Sequence, residues 1–320
     1  MYLFNIRYKQ SIQLFFPIIA IFFLIGLDSC KKKKKEKEEN VISTQTTPDN
    51  GTLHISVDET FRPVIDQEIE MYHATYPNAH IIADYKPEVD CFKDFQNDTS
   101  RLIIVARGLD SSESNFYKAQ LGAVPRYEIV AFDAVAVLVN RQSPDSLFSY
   151  EQLQDILTGK ESNKTVAVDG SKATSTVRYL IDSILKGKEF GSNIIATSGS
   201  KEVLNYVTNN VNAIGFIGYS WMAAIQDSTN SYYNSKIKTA LIKCKTCKEN
   251  NMYARPSQEN ITNMRYSMFR PVVSIIKDRD PSLATGFYNF LQSERGQLIF
   301  RRALLMPAMV AFNVRQVNLK

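Results

Sequence analysis

Residues 165–185 read TVAVDGSKATSTVRYLIDSIL, and they decide the fold. Thr165–Val168 is a short apolar strand. Asp169-Gly170 signals a turn, and the small hydroxyl residues Ser171, Thr174, Ser175 and Thr176 follow. Val177, Leu180, Ile181, Ile184 and Leu185 then recur at i, i+3, i+4, i+7 and i+8, the face of an amphipathic helix that Gly187 can end. Thr174 or Ser175 is the expected N-cap. A strand, a hydroxyl-rich loop and a helix in that order bring unpaired N–H groups and a partial positive charge to one point, which attracts anions. Arg178 in the first turn opposes the helix dipole at a cost of about 0.3–1 kcal/mol. Either a bound anion relieves that conflict, or the side chain faces solvent and the cost is tolerated.

The same pattern occurs elsewhere. LHISV at Leu53–Val57 is a strand, Asp58-Glu59-Thr60 a cap-rich turn, and Arg62-Pro63 a helix start with Pro in its first turn. Ile65, Ile69 and Tyr72 line that helix, which stops before Pro77. Ala79–Tyr85 is the next strand and KPEVDC, Lys86–Cys91, a charged loop. LIIVA at Leu102–Ala106 is a strand ending in Arg107-Gly108. Arg62, Arg107 and Arg178 thus follow three predicted strands, and in open α/β sheets ligands bind outside the carboxyl ends of strands. Guanidinium forks there suit an oxyanion, unless each pairs with a nearby acid such as Glu59, Glu88 or Asp110. Val124–Asn140 exceeds one ordinary strand and is read as crossing between two lobes. Asp133 within it requires buried donors or a cation. Glu151–Leu157 is a helix ended by Gly159, and Thr197–Ser200 opens another, faced by Val203, Leu204 and Val207. Strands at Ile194–Ala196, Ala213–Tyr219, Lys236–Ile242 and Met268–Ile276 precede a C-terminal helix over Pro281–Phe300 with Phe287, Phe290, Leu291 and Leu298 inward. The alternation gives an α/β fold with mainly parallel sheets.

Residues 1–29 read as a signal peptide: Arg7 and Lys9 precede an apolar run, Leu14–Leu27, too short to span a bilayer. The run ends in LDSC, which resembles a bacterial lipobox and makes Cys30 the expected lipidation site; Asp28 departs from the usual small residue. Residues 30–50 are expected to be a disordered tether, Lys31–Lys35 and Glu36–Glu39 followed by polar residues. The Lys run either touches anionic headgroups or is read by export machinery. The chain carries 38 Lys+Arg and 33 Asp+Glu; residues 1–40 hold 8 and 4 of these, leaving 30 − 29 = +1 for the remainder. The basic balance is therefore a property of the tether, and no nucleic-acid partner is implied. Cys244 and Cys247 form one CxxC without a second pair, so a local disulfide is expected rather than metal. Cys91 is expected to be buried and inert.

FDAVAVLVN, SYEQLQDILTGK, VDGSKATSTVRYL and VNAIGFIGYSW, in this order and spacing, resemble the phosphate-binding proteins of bacterial ABC phosphate importers, in the lipoprotein branch common in Bacteroidota-type bacteria. The resemblance covers roughly residues 52–312. It implies a two-lobed periplasmic-binding-protein-like fold, 51–132 plus 267–320 as the first lobe and 133–266 as the second, with the ligand cleft between them. It also implies phosphate held by Thr60 at the first helix start and by Ser175, Thr176 and Arg178, with Thr174, in the second lobe; Arg107 is added from its strand end. The family's Ser/Gly-rich second loop is KPEVDC here, and its proton-accepting aspartate falls at Ala106-Arg107-Gly108. Glu88, Asp90 or Asp169 is left to take that role, with Asp110 nearby.

The leading expectation is a monomeric, lipid-anchored cell-envelope protein that delivers inorganic phosphate to an ABC importer permease, with no cofactor and no metal. The alternatives are a same-fold binder of sulfate, molybdate or a phosphorylated solute, and a phosphate sensor. A secreted hydrolase is disfavoured: the three histidines, His54, His73 and His80, lie outside the predicted cleft loops, and Ser175 has no evident base.

Overall fold

The computed structural model describes residues 47–161, 163–170, 174–227, 231–249 and 251–309. The signal-peptide reading, lipidation of Cys30, the tether up to residue 46 and Ser171 lie outside the described residues. The last part of the expected tether is ordered instead. Thr47 and Asn50 exchange backbone hydrogen bonds, and the Pro48 carbonyl accepts from the Tyr72 hydroxyl.

The first wing follows the predicted rhythm. β1 (Asn50–Asp58) leads through a 3₁₀ turn, Glu59–Phe61, into α1 (Arg62–Thr75), then β2 (Asn78–Lys86), α2 (Glu88–Gln96), β3 (Leu102–Val105) and α3 (Ser111–Leu121). The KPEVDC loop is a correction. Its last four residues are the first turn of α2, which Pro87 enters as N-cap and where Glu88 and Asp90 favour the helix dipole. Phe92 and Phe95 are then buried under α2.

The long strand is found as β4 (Arg126–Asn140). β5 (Leu147–Phe148), α4 (Tyr150–Leu157), β6 (Thr165–Val168) and α5 (Ser175–Tyr179) follow, and α5 runs on into a π-helical turn, Leu180–Leu185. The focal strand is found at its predicted bounds, and Thr174 is the N-cap, its hydroxyl accepting from Val177 N–H. The helix ends at Lys186, one residue before the expected glycine, with both residues at positive φ. β7 (Ile194–Ala196), α6 (Ser200–Asn209), β8 (Ala213–Gly218), α7 (Tyr219–Asp227), α8 (Ser231–Lys236), β9 (Ile237–Thr239), β10 (Leu241–Lys243), β11 (Tyr253–Ala254) and α9 (Gln258–Thr262) complete this part. The single strand expected over Lys236–Ile242 is divided: β9 pairs with β4, whereas β10 joins β5 and β11. Cys244 and Cys247 form the expected disulfide, and Cys91 is buried and free.

The chain returns through β12 (Phe269–Ile276) to α10 (Leu283–Gln292), α11 (Glu294–Arg302) and β13 (Met306–Pro307). The one C-terminal helix expected is two, because extended Ser293 ends α10 and caps α11 through its hydroxyl. That break turns Leu298 outward, 46% exposed, while Phe287, Phe290 and Leu291 are buried as expected.

The main sheet runs in the order β2-β1-β3-β12-β4-β8-β6-β7. β1, β2 and β3 are parallel at one end, as are β6, β7 and β8 at the other. β12 and β4 run antiparallel to their neighbours in the middle. β4 joins the wings, since Arg126–Ala134 pairs with β12 and Val135–Val139 with β8. The buried clusters divide at the same place. One uses apolar residues between Ala134 and Met268; the others use residues before Phe132 and after Arg270. The carboxyl ends of β1, β3 and β6 meet over the β4/β12 crossover, and the candidate residues other than Arg107 gather there.

Candidate functional site

Asp58 ends β1 fully buried, and its two oxygens face different wings. Oδ1 accepts from Thr60 N–H at 3.0 Å, capping the 3₁₀ turn, and Oδ2 accepts from Ser175 N–H at 3.1 Å. Burial and the charge of Glu88 push its carboxyl above the ordinary carboxylate range, opposed by Arg270. Asp169, at the end of β6, does the converse. It accepts from Thr60 Oγ1 at 3.2 Å and from Thr174 Oγ1 at 2.6 Å. Glu59 crosses to the start of α6, where Ser200 donates to it through Oγ at 2.9 Å and through its N–H at 3.3 Å. Its carboxyl is pushed up to about 7, chiefly by burial and then by the charge of Asp169.

Arg178 is held by partners although its side chain is 31% exposed. Its Nε donates to Glu88 Oε2 at 2.6 Å, and Nη2 donates to Glu88 Oε1 at 3.1 Å and to the Ala106 carbonyl at 3.2 Å. Glu88 is buried and also accepts from Ala106 N–H at 2.8 Å. An acid of the chain's own thus relieves the conflict between Arg178 and its helix, and a forked charge-assisted pair outweighs the dipole cost. Thr176 Oγ1 accepts from Nη1 of Arg270 at 3.1 Å, and Nη2 of the same guanidinium lies 3.3 Å from Asp133 Oδ2. Asp133 also accepts from Tyr219 N–H at 3.0 Å, and burial pushes its carboxyl up to about 6. Gly218 makes this approach fit: a Cβ there would lie 2.5 Å from Thr60 Cγ2 and 2.7 Å from Asp133 Oδ2. Two buried polar atoms at this junction, Ser175 Oγ and Arg270 Nε, have no hydrogen-bond partner.

Thr60, Thr174, Ser175, Thr176 and Arg178 therefore converge, linked by Asp58, Asp169, Glu88 and Arg270. Arg107 does not join them. Both its terminal nitrogens are held by Glu113, at 2.7 and 2.8 Å, and the guanidinium stacks 3.7 Å over Phe92. It shares with Arg178 and Glu88 the wall of a neighbouring cavity of about 470 Å3. Arg62 stacks over Tyr85 at 4.2 Å. Asp110 is spent as the N-cap of α3, and Asp90 pairs with Lys93 at 2.8 Å on α2. Of the acids weighed as proton acceptors, Asp169 and Glu88 are in the junction. Sequence reading missed Asp58 and Arg270. The signal for Arg270 was the one that flagged Asp133: a charge inside an apolar strand. Among the described residues no group of three or more His, Cys, Asp or Glu is arranged to hold a metal ion.

A mixed α/β sheet in two wings, with the candidate residues gathered where strand ends meet over two crossover strands, has the architecture of a binding protein. The chain belongs to the PBP superfamily domain family, whose model matches residues 43–295. It is 25% identical to the phosphate-binding protein PstS of Pseudomonas aeruginosa PAO1 over 291 residues, covering 82% of this chain and 85% of that protein. Its fold is similar to that of a proposed phosphate ABC transporter substrate-binding protein, with phosphate bound, from Clostridium perfringens: TM-score 0.65 and 21% identity over 81% of this chain and all of that one. An ABC-type phosphate transport receptor from Vibrio cholerae has a TM-score of 0.58 and 18% identity, over 79% of this chain and 99% of that one.

Proposed function

We propose that the chain is the solute-binding component of an ABC importer and captures inorganic phosphate between two lobes, 51–132 plus 267–320 and 133–266. The observation that carries this reading is the position of Asp58. A buried carboxylate, itself an oxyanion, is held by the Thr60 amide from one wing and the Ser175 amide from the other. Phosphate replaces that carboxylate and takes up the partnerless Ser175 Oγ and Arg270 Nε. Thr60, Thr174 and Thr176 contribute hydroxyls and Arg178 contributes charge. Glu88 pairs with Arg178 and Asp133 with Arg270, and three more carboxyl groups, Asp58, Glu59 and Asp169, stand in the same network, which disfavours a fully ionised dianion. A ligand that carries its own proton suits such a site, because Asp169 or Glu88 can accept it, and sulfate cannot supply one.

In this reading the protein binds rather than catalyses. His73 and His80 pair with each other, ring centroids 5.3 Å apart, and His54 lies within β1. Among the described residues no helix is long and apolar enough to cross a membrane. Attachment to the cell envelope rests on diacylglycerol at Cys30, the protein acts as a monomer, and a permease is its partner. Mass spectrometry of the protein extracted from membranes tests both parts. Native spectra are expected to contain a phosphate adduct, and the N-terminal peptide to begin at lipidated Cys30. A bare protein with no anion, or an unmodified N-terminus elsewhere, contradicts the corresponding part.

A further inference from the structure

Three carboxylates of the first wing are received by donors of the second. Asp58 reaches Ser175 N–H, Glu59 reaches the N–H and hydroxyl of Ser200, and Glu88 takes the fork of Arg178. Asp169 returns the arrangement by accepting from Thr60 Oγ1. These are the kinds of donor that recognise a free oxyanion, namely backbone N–H groups at helix starts, hydroxyls and a guanidinium. All three acids are largely buried and none is spare: each holds a donor on the opposite wing. The wings are therefore joined through carboxyl groups of the chain itself at the place where a bound anion would join them.

We infer that Asp58 is a built-in occupant of the anion site, and that with Glu59 and Glu88 it latches the two wings in the absence of solute, so that phosphate binds by displacing it. The inference rests on the reading that this junction is the solute site. Two observations set the site apart from a plain acidic cluster. Asp58 bridges the amide of Thr60, two residues on, and that of Ser175, 117 residues on. Beside it, Ser175 Oγ and Arg270 Nε keep hydrogen-bonding capacity that the latch leaves unused. The consequence is regulatory. Closure is the resting state rather than a response to ligand, and affinity is set by the competition between the Asp58 carboxylate and the incoming anion. An occupant tethered to the site acts at a high effective concentration, so only an anion present well above its intrinsic Kd displaces it.

Hydrogen exchange at the amides of Ser175 and Ser200, together with calorimetric titration of inorganic phosphate, tests this on the full chain in detergent. Phosphate-free wild type is expected to protect both amides. Asp58→Ala is expected to exchange faster at Ser175 and to bind phosphate about tenfold or more tightly than wild type, the equivalent of one charge-assisted hydrogen bond no longer competing. Asp58→Asn keeps the cap on Thr60 while losing the charge, and is expected to move the same way if the alanine variant does not fold. Phosphate binding that is unchanged or weaker in both variants overturns the latch while leaving the solute reading intact. If no variant binds phosphate, the solute reading falls. The displacement of Asp58 by phosphate falls with it; rapid exchange at Ser175 and Ser200 in the phosphate-free wild type then overturns the latch between the wings as well, and protection there upholds that latch alone.

Discussion

Replacing Arg270 by methionine isolates the guanidinium that, among the described residues, is buried at the crossover. Its side chain is 3% exposed, opposite an Asp133 side chain that is 0% exposed, and β4 and β12 place the two in register. Methionine keeps an apolar stem of similar length and removes the guanidinium, whose Cζ lies 5.3 Å from the centre of the Phe61 ring. Asp133 is then left with backbone donors alone, in a site where burial already pushes its carboxyl up to about 6. Breaking a buried pair from one side costs roughly 3–5 kcal/mol, because the surviving charge is uncompensated. In a domain of this size each kcal/mol lowers Tm by about 2–4 °C, so the midpoint is expected to fall by roughly 6–20 °C. Removing the other partner as well, Asp133→Asn with Arg270→Met, takes the orphaned charge away and is expected to restore much of that loss. Thermal and urea unfolding of the four proteins of the cycle give the coupling directly. An Arg270→Met variant within about 1 kcal/mol of wild type, or a double variant no better than the single, refutes the claim that this pair sustains the junction.

Other outcomes follow from the same network. Glu59 has a folded-state pKa of about 7, raised from an ordinary 4.5, so its contribution to stability is present below the ordinary value and is lost as pH rises through about 7. Stability is accordingly expected to decline from pH 5 to pH 8, and Glu59→Gln to flatten that decline; an identical slope in urea titrations of the variant contradicts it. Glu68 is buried in α1 with neither carboxylate oxygen partnered, and Glu68→Met is expected to stabilise by about 1–3 kcal/mol in the same unfolding assay. Arg107→Ala is expected to leave phosphate affinity within about threefold, whereas Arg178→Ala lowers it about ten- to a hundredfold and also loosens the ligand-free protein by stranding Glu88; equal effects in calorimetry contradict the assignment.

The elements were legible where periodicity and caps agreed. Thr165–Val168, the Thr174 cap and the burial of Val177, Leu180, Ile184 and Leu185 follow from local pattern, as does the Pro63 start of α1, whereas Ile181, expected on the same face, is 40% exposed on the π-helical turn. The break at Ser293 was hidden because the apolar spacing runs on through it, and the helix inside KPEVDC because a run of charges reads as a loop until Pro87 is placed at the cap. The candidate site divides in the same way. Sequence spacing finds hydroxyls and arginines at strand ends, because those positions are local. It offers acids, Glu88 among them, without assigning which arginine each one meets. Glu88 meets Arg178 across 90 residues, and Arg107 is neutralised by a helix neighbour six residues on. Arg270 and Asp133 recognise each other only once two crossover strands lie side by side.

The most direct test of the central claim is calorimetric titration of phosphate and of sulfate into wild type and Asp58→Ala. Saturable phosphate binding at one site is expected in wild type, with tighter binding in Asp58→Ala and weaker binding of sulfate to both. Absence of phosphate binding by both proteins contradicts it.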